Sequence, residues 1–116
     1  TARSVTADIT TSRLEYEAHE PLAHAMLAAL LAEARRRFSL AGCAAAHRLG
    51  VVEPGEASVA VAASAPHRPA AFAATEWLMA EIKREVPIWK CEHRPDGSHT
   101  WVHGDPNTPP PETHHE

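Results

Sequence analysis

Residues 66–102, PHRPAAFAATEWLMAEIKREVPIWKCEHRPDGSHTWV, contain the pattern that decides the fold. In the first half of this stretch a stripe of residues recurs at steps of three and four, the spacing of an amphipathic helix. The stripe is formed by Phe72, Thr75, Met79, Ile82 and Val86. Because proline cannot donate the next helical hydrogen bond, Pro87 ends the helix. The sequence therefore predicts a helix over residues 66–86.

A β-hairpin is predicted directly after this helix. Ile88–His93 and His99–Val102 have strand composition, and they flank the turn sequence Pro95-Asp96-Gly97. A proline and a glycine at these positions favour a tight reversal of the chain. The second half of the domain is thus a helix followed by two paired strands.

The first half adds extended segments, another helix and another hairpin. Residues 5–16 alternate between apolar and polar, as in a half-buried strand or two strand pieces. An amphipathic helix begins near Pro21 and ends in Arg35-Arg36-Arg37, whose charges suit the negative end of the helix dipole. Residues 42–63 carry strand signals on both sides of Glu53-Pro54-Gly55-Glu56 and predict a hairpin. This order predicts an α+β fold, with helices packed on a mixed or antiparallel sheet.

Composition limits the classes of function. A length of 116 residues corresponds to one domain, which we assign to residues 1–103, and the proline-rich residues 104–116 are expected to be a disordered tail. A net charge of -4 excludes a global basic surface for nucleic acid. No apolar run is long enough to span a membrane and no signal peptide is recognisable, so a cytoplasmic location is expected. Because the chain opens at Thr1 rather than Met, we expect that residues precede it.

The two lysines, Lys83 and Lys90, are candidates for chemistry. The chain has nine arginines but only these two lysines, seven residues apart. A lysine can act as an acid, a base or a nucleophile, whereas arginine keeps its proton. Two ammonium groups a few ångströms apart disfavour each other's charge, which makes one amine available for proton transfer. The alternative is two solvated lysines that lie over aliphatic surface.

His67 and Arg68 open the second helix and form a candidate anion site. A helix N-terminus presents unpaired N–H groups and the positive end of the dipole, to which these side chains add donors for a phosphate or carboxylate. The alternative is a pair of exposed first-turn residues without function.

Metal chemistry and several enzyme classes are disfavoured. Cys91, His93, His99 and His103 could ligate zinc by type, but their spacing fits no common structural zinc pattern, so no metal site is predicted. Both cysteines are expected to be reduced thiols. The motifs of hydrolases, kinases and dehydrogenases do not occur in the sequence.

Four ordered blocks of the sequence resemble the MoaE family, the catalytic subunits of molybdopterin synthase. The similarity extends from Thr1 to about Val102. The blocks are Leu14-Glu15-Tyr16-Glu17-Ala18-His19-Glu20-Pro21, His47-Arg48-Leu49-Gly50 with Glu53-Pro54-Gly55-Glu56, Ser64-Ala65-Pro66-His67-Arg68, and Ile82-Lys83-Arg84-Glu85-Val86-Pro87-Ile88-Trp89-Lys90.

The resemblance implies a fold, an activity and partners. The fold is an α/β hammerhead with an additional antiparallel β subdomain. The activity is sulfur transfer from a thiocarboxylated ubiquitin-fold carrier, MoaD, to cyclic pyranopterin monophosphate, which gives the dithiolene of molybdopterin. The assembly is a homodimer within a heterotetramer. No cofactor, nucleic acid or membrane is involved.

The resemblance also implies roles for individual residues. Lys83 and Lys90 match the two active-site lysines of the family, while His67, Arg68 and Arg3 match its substrate-binding residues. Arg3, His67 and Arg68 would bind the cyclic phosphate, Lys83 would stabilise anionic charge and move protons, and Lys90 would modulate Lys83 or neutralise the substrate. Met79, one turn before Lys83, could line the pocket, although core packing is the favoured role.

The sequence departs from the family pattern at both ends. Family members carry an apolar strand before the arginine, of which this sequence includes only the arginine end; a sheet without that strand would have an exposed edge. Where family members often carry a basic residue after the Trp-Val pair, this chain has His103-Gly104-Asp105. A MoaE-like binding module that docks the sulfur carrier without turnover is therefore the alternative function.

Overall fold

The computed structural model describes the backbone of residues 5–6 and 9–10 and all of residues 12–102. Arg3 and residues 103–116, with the predicted tail, lie outside the described residues. The elements in chain order are β1 (Val5–Thr6), β2 (Ile9–Thr10), β3 (Arg13–Ala18), α1 (Glu20–Arg37), β4 (Gly42–His47), β5 (Gly50–Val52), β6 (Val59–Ser64), α2 (Arg68–Glu85), β7 (Ile88–His93) and β8 (His99–Val102).

The α+β prediction is confirmed, and every strand pair among the described residues is antiparallel. β5, β3, β7 and β8 form a four-stranded sheet in that order, whereas β4 pairs with β6 and β1 with β2. Both helices and the hairpin of β7 and β8 lie where the sequence places them. The second helix begins at Arg68 rather than Pro66, with His67 as its N-cap residue.

The predicted hairpin on the two sides of residues 53–56 is confirmed for β4 and β6, which pair antiparallel, but β5 is not part of it. Glu53 and Glu56 do form a turn, in which the Glu56 N–H donates to the Glu53 carbonyl at 3.0 Å. However, β5 leaves this segment and pairs with β3, so that Leu14 and Val52 lie opposite each other and are both buried. The prediction is wrong only for Val51 and Val52, which do not pair with the strand after the turn. Burial of an apolar pair far apart in sequence outweighs the local hairpin signal for these two residues.

The main core lies between the two helices and the inner face of the β4–β6 sheet. Leu78 and Val86 are completely buried there, with Ile82 beside them. Phe72 is not part of this core, although it shares the helical stripe, because its side chain is 71% exposed. Met79 is half-buried. Within residues 12–102, neither helix has the length and apolar character that a bilayer span requires.

Candidate active site

The two lysines flank the junction between α2 and β7. Lys83 is exposed in the last turn of α2, which ends two residues later, and Lys90 is the third residue of β7. Lys90 shares a sheet face with Ile88, because alternate residues of a strand point the same way. Ile88 packs against the core cluster that contains Ile82 and Val86 of α2. Lys90 therefore lies on the sheet face that continues into the C-terminal end of α2.

Lys90 is bound by a carboxylate and lies opposite an aromatic residue of the neighbouring strand. Its Nζ lies 3.3 Å from Glu92 Oε1, and the Lys90 and Glu92 side chains are 32% and 14% exposed. Directly opposite Lys90, on β3, is Tyr16. Because cross-strand partners share a face, these two side chains project side by side. Lys83, in contrast, forms no salt bridge within the described part of the chain.

Tyr16 in turn contacts His47, the last residue of β4. Their ring centroids are 4.8 Å apart, and the planes meet at 67°, an edge-to-face arrangement. The His47 Nδ1–H donates to the Arg48 carbonyl oxygen at 2.7 Å, since a carbonyl can only accept. Arg48 Nη1 then reaches Glu56 Oε2 at 3.0 Å. A series of contacts thus connects the turn at residues 53–56 with the strand that carries Lys90.

The half-buried position of His47 predicts a pH-dependent stability. Burial lowers the pKa of His47 below its ordinary value of 6.5, opposed by the hydrogen bond to the Arg48 carbonyl. The folded protein disfavours protonation of His47, whereas the unfolded chain accepts the proton freely. The contribution of neutral His47 to the free energy of unfolding is therefore complete above pH 6.5. It is lost as the pH falls from there through the lower folded pKa. Urea unfolding between pH 7.5 and 5 should show this slope, and His47→Gln should reduce it while the exposed His24→Gln should not.

His67 and Arg68 lie at the other end of α2. Both side chains are exposed, and the helix start has no side-chain cap and no acidic residue in its first turn. At 1.5 Å per residue, the backbones of Arg68 and Lys83 are about 22 Å apart along the helix axis. Within one protomer the structure therefore brings the lysines to one junction and places the anion-binding pair away from it.

The cysteine and histidines of β7 and β8 lie on the opposite face of the sheet from Lys90. The His93 Nε2–H donates to Glu15 Oε2 at 3.2 Å, and the His93 and His99 ring centroids are 5.7 Å apart. Burial, assisted by the nearby carboxylates, raises the pKa of the Cys91 thiol. Among residues 12–102, no three potential ligands are grouped closely enough for a metal ion. His103 lies outside the described residues.

Sequence patterns indicate no role for three residues that the structure links to Lys90 directly or through Tyr16. Tyr16, His47 and Glu92 come from three separate strands, and only the register of β3 on β7 brings Tyr16 to Lys90. Glu92 alone had a local signal, because residues two apart in a strand share a face. An open depression near Arg35, Leu40 and Cys43 contains none of the predicted site residues.

Comparison with known proteins places this geometry in a family. The family model described as "MoaE protein" matches residues 1–85. A Bacillus subtilis relative, "Molybdopterin synthase catalytic subunit", is 47% identical over 102 residues, which are 88% of this chain and 64% of that protein. The chain belongs to the MoaE family. It spans less than two thirds of the length of this relative.

Solved structures of MoaE-like proteins share the fold. The crystal structure of molybdopterin synthase from Staphylococcus aureus has a TM-score of 0.82 and 35% identity, covering 87% of this chain and 73% of that chain. A complex of subunits 1 and 2 of molybdopterin-converting factor from Helicobacter pylori has a TM-score of 0.69 and covers 93% of this chain and 69% of that chain. At 18% identity, the second likeness concerns the fold alone.

Proposed function

We propose that this MoaE-family chain is the catalytic subunit of a molybdopterin synthase. It takes sulfur from the thiocarboxylate of a MoaD-like ubiquitin-fold carrier and transfers it to cyclic pyranopterin monophosphate. The observation that carries the proposal is the position of the chain's only two lysines at one junction, with Lys90 fixed by Glu92 at 3.3 Å. We assign residues 1–103 to the catalytic domain and residues 104–116 to a tail.

The reaction explains why primary amines are needed at this junction. In each transfer a bond forms between sulfur and a pterin side-chain carbon, and the carbon–oxygen bond at that carbon breaks, so that its oxygen leaves as water or stays on the phosphate. The acyl carbon–sulfur bond breaks as water adds to the acyl carbon. The carrier then leaves as a carboxylate. Negative charge develops on oxygen at the acyl carbon, and the Lys83 ammonium stabilises it and gives up protons in turn. Lys90 neutralises the anionic substrate beside it.

The phosphate of the pterin requires its own donors, which we assign to Arg3, His67 and Arg68. The exposed His67 and Arg68 side chains stand at a helix start, where N–H groups and the dipole favour an anion. A substrate that uses both this pair and the lysines must bridge about 22 Å of helix in one protomer. We therefore propose that a second copy completes each site, so that the working unit is a homodimer within a heterotetramer.

The carrier and the cellular compartment belong to the same proposal. Membership of the MoaE family supports a MoaD-like partner here. We place the protein in the cytoplasm, because its two free cysteines suit a reducing compartment.

Reconstitution tests this function. The purified chain, thiocarboxylated carrier and cyclic pyranopterin monophosphate should together yield the dithiolene product, whereas carrier with an ordinary carboxylate should yield none. Tight carrier binding without any product would contradict the enzyme assignment and favour the binding module.

Arg68→Ala is expected to weaken substrate binding rather than the chemical step. Loss of one charge-assisted hydrogen bond costs about 1.5–3 kcal/mol, or roughly 10- to 150-fold in KM. Steady-state kinetics with varied pterin concentration measures this change. Arg84→Ala, which removes the same charge from the other end of α2, is the matched control for charge loss. An unchanged KM in Arg68→Ala would contradict the phosphate role.

A further inference from the structure

We propose that His47 is a positioning residue for Lys90, which it holds in place through the ring of Tyr16. His47 ends β4 in the two-stranded sheet, whereas Tyr16 and Lys90 belong to the four-stranded sheet. The contact between the His47 and Tyr16 rings therefore joins the two sheets beside the lysine. This inference relies on the proposed function only for the importance of Lys90.

Tyr16 lies between His47, which its ring contacts, and Lys90, its partner on the neighbouring strand. On one side its cross-strand partner is Lys90, and on the other it is Gly50, which has no side chain. An added Cβ at Gly50 would meet no heavy atom within 4 Å. Tyr16 also packs against the buried pair Leu14 and Val52. Because the flank beside Gly50 is open, the edge-to-face contact with His47 at 4.8 Å is the aromatic contact that restricts the ring further.

His47 is itself fixed from behind. Its Nδ1–H donates to the Arg48 carbonyl at 2.7 Å, and the Arg48 N–H donates to the Ser58 carbonyl at 2.8 Å. Arg48 is also bound to Glu56 at 3.0 Å. The imidazole therefore carries a proton on Nδ1, and the hydrogen bond orients the ring against which Tyr16 packs.

Two variants separate the ring contact from the hydrogen bond. His47→Phe keeps a ring against Tyr16 but cannot donate to the Arg48 carbonyl, whereas His47→Asn keeps a donor near Nδ1 but has no ring. If the ring positions Lys90, kcat should fall about 10- to 100-fold in His47→Asn, with KM little changed, and should remain near wild type in His47→Phe. Combining His47→Asn with Tyr16→Ala should cause no further loss beyond Tyr16→Ala, because both act on one contact.

A second measurement does not depend on catalysis. Trace acetylation with acetic anhydride, followed by mass spectrometry, compares Lys90 with Lys83 in the same molecule. The Lys90 side chain is 32% exposed in the folded protein. If His47→Asn lets this side chain move into solvent, acetylation of Lys90 relative to Lys83 should rise about threefold, whereas it should not rise in His47→Phe. Thermal unfolding verifies that each variant is folded, and the exposed His24→Asn serves as the control.

The labelling ratio decides between the possible outcomes. A higher Lys90 ratio in His47→Asn with a normal ratio in His47→Phe supports the positioning role, even if the sulfur-transfer assay fails. A normal ratio in both variants overturns it. A normal ratio in His47→Asn with a raised one in His47→Phe also overturns it, because the hydrogen bond to Arg48 would then be the important contact.

Discussion

Lys83→Ala is expected to lower the rate of dithiolene formation by about 10²–10⁴-fold, the range that a positioned proton donor or acceptor contributes. Lys83 is exposed, and no salt bridge joins it to another residue among 12–102. Its removal therefore leaves no buried charge unpaired, and the free energy of unfolding should change by less than about 0.5 kcal/mol. Lys90→Ala should also impair turnover strongly, but it leaves Glu92 without its ammonium partner.

The comparison with Lys83→Arg distinguishes charge from proton transfer. Arginine preserves the positive charge but cannot release a proton at neutral pH, so this variant should stay nearly as slow as Lys83→Ala. Arg36→Ala on α1 removes one surface charge at a position distant in sequence from Lys83, and it serves as the control for net charge. Single-turnover assays with saturating carrier and pterin measure the chemical step. Full activity in Lys83→Ala would refute the mechanism.

Local sequence signals account for the helices and the last hairpin. Pro87 predicts a helix end at Val86, one residue after the observed last residue of α2, Glu85. The turn at residues 95–97 determines where β7 ends and β8 begins. These features depend on residues that are neighbours in the chain, which is why periodicity and turn chemistry predict them. The division of the strands between separate sheets depends on contacts between distant residues, and no local pattern indicates that β5 joins β3.

The same distinction applies to the candidate site. The resemblance selects Lys83, Lys90, His67 and Arg68, but the sequence does not show that Tyr16, 74 positions before Lys90, is its strand partner. Spacing places Phe72 in the apolar stripe, yet it is largely exposed, and the buried residues of α2 are Ala74, Leu78 and Ile82. The distance between Arg68 and Lys83, in contrast, follows from the predicted helix length alone.

The distance between Arg68 and Lys83 leads to a second large expected effect. Two inactive variants should regain activity when they are combined in one mixed dimer. Lys83→Ala and the double variant His67→Ala/Arg68→Ala should each be nearly inactive as homodimers. If each site takes its lysines from one protomer and its anion-binding pair from the other, a mixed dimer contains one site with both defects and one site with neither. Co-expression with two different tags and tandem affinity purification would isolate this mixed dimer, which should have about half the activity of the wild-type dimer.

A site contained within one protomer makes the opposite prediction. Each protomer of the mixed dimer would then carry one defect in its own site, and both sites would be inactive. Activity of the mixed dimer no higher than that of the two parents would therefore contradict the shared site. A dimer tagged in the same way, with Lys83→Ala in one protomer and wild type in the other, retains one intact site under either arrangement and calibrates the value of one half. Since about 22 Å of helix separate Arg68 from Lys83, the proposed site requires a second copy to bring His67 and Arg68 to the phosphate of a pterin that lies against the lysines.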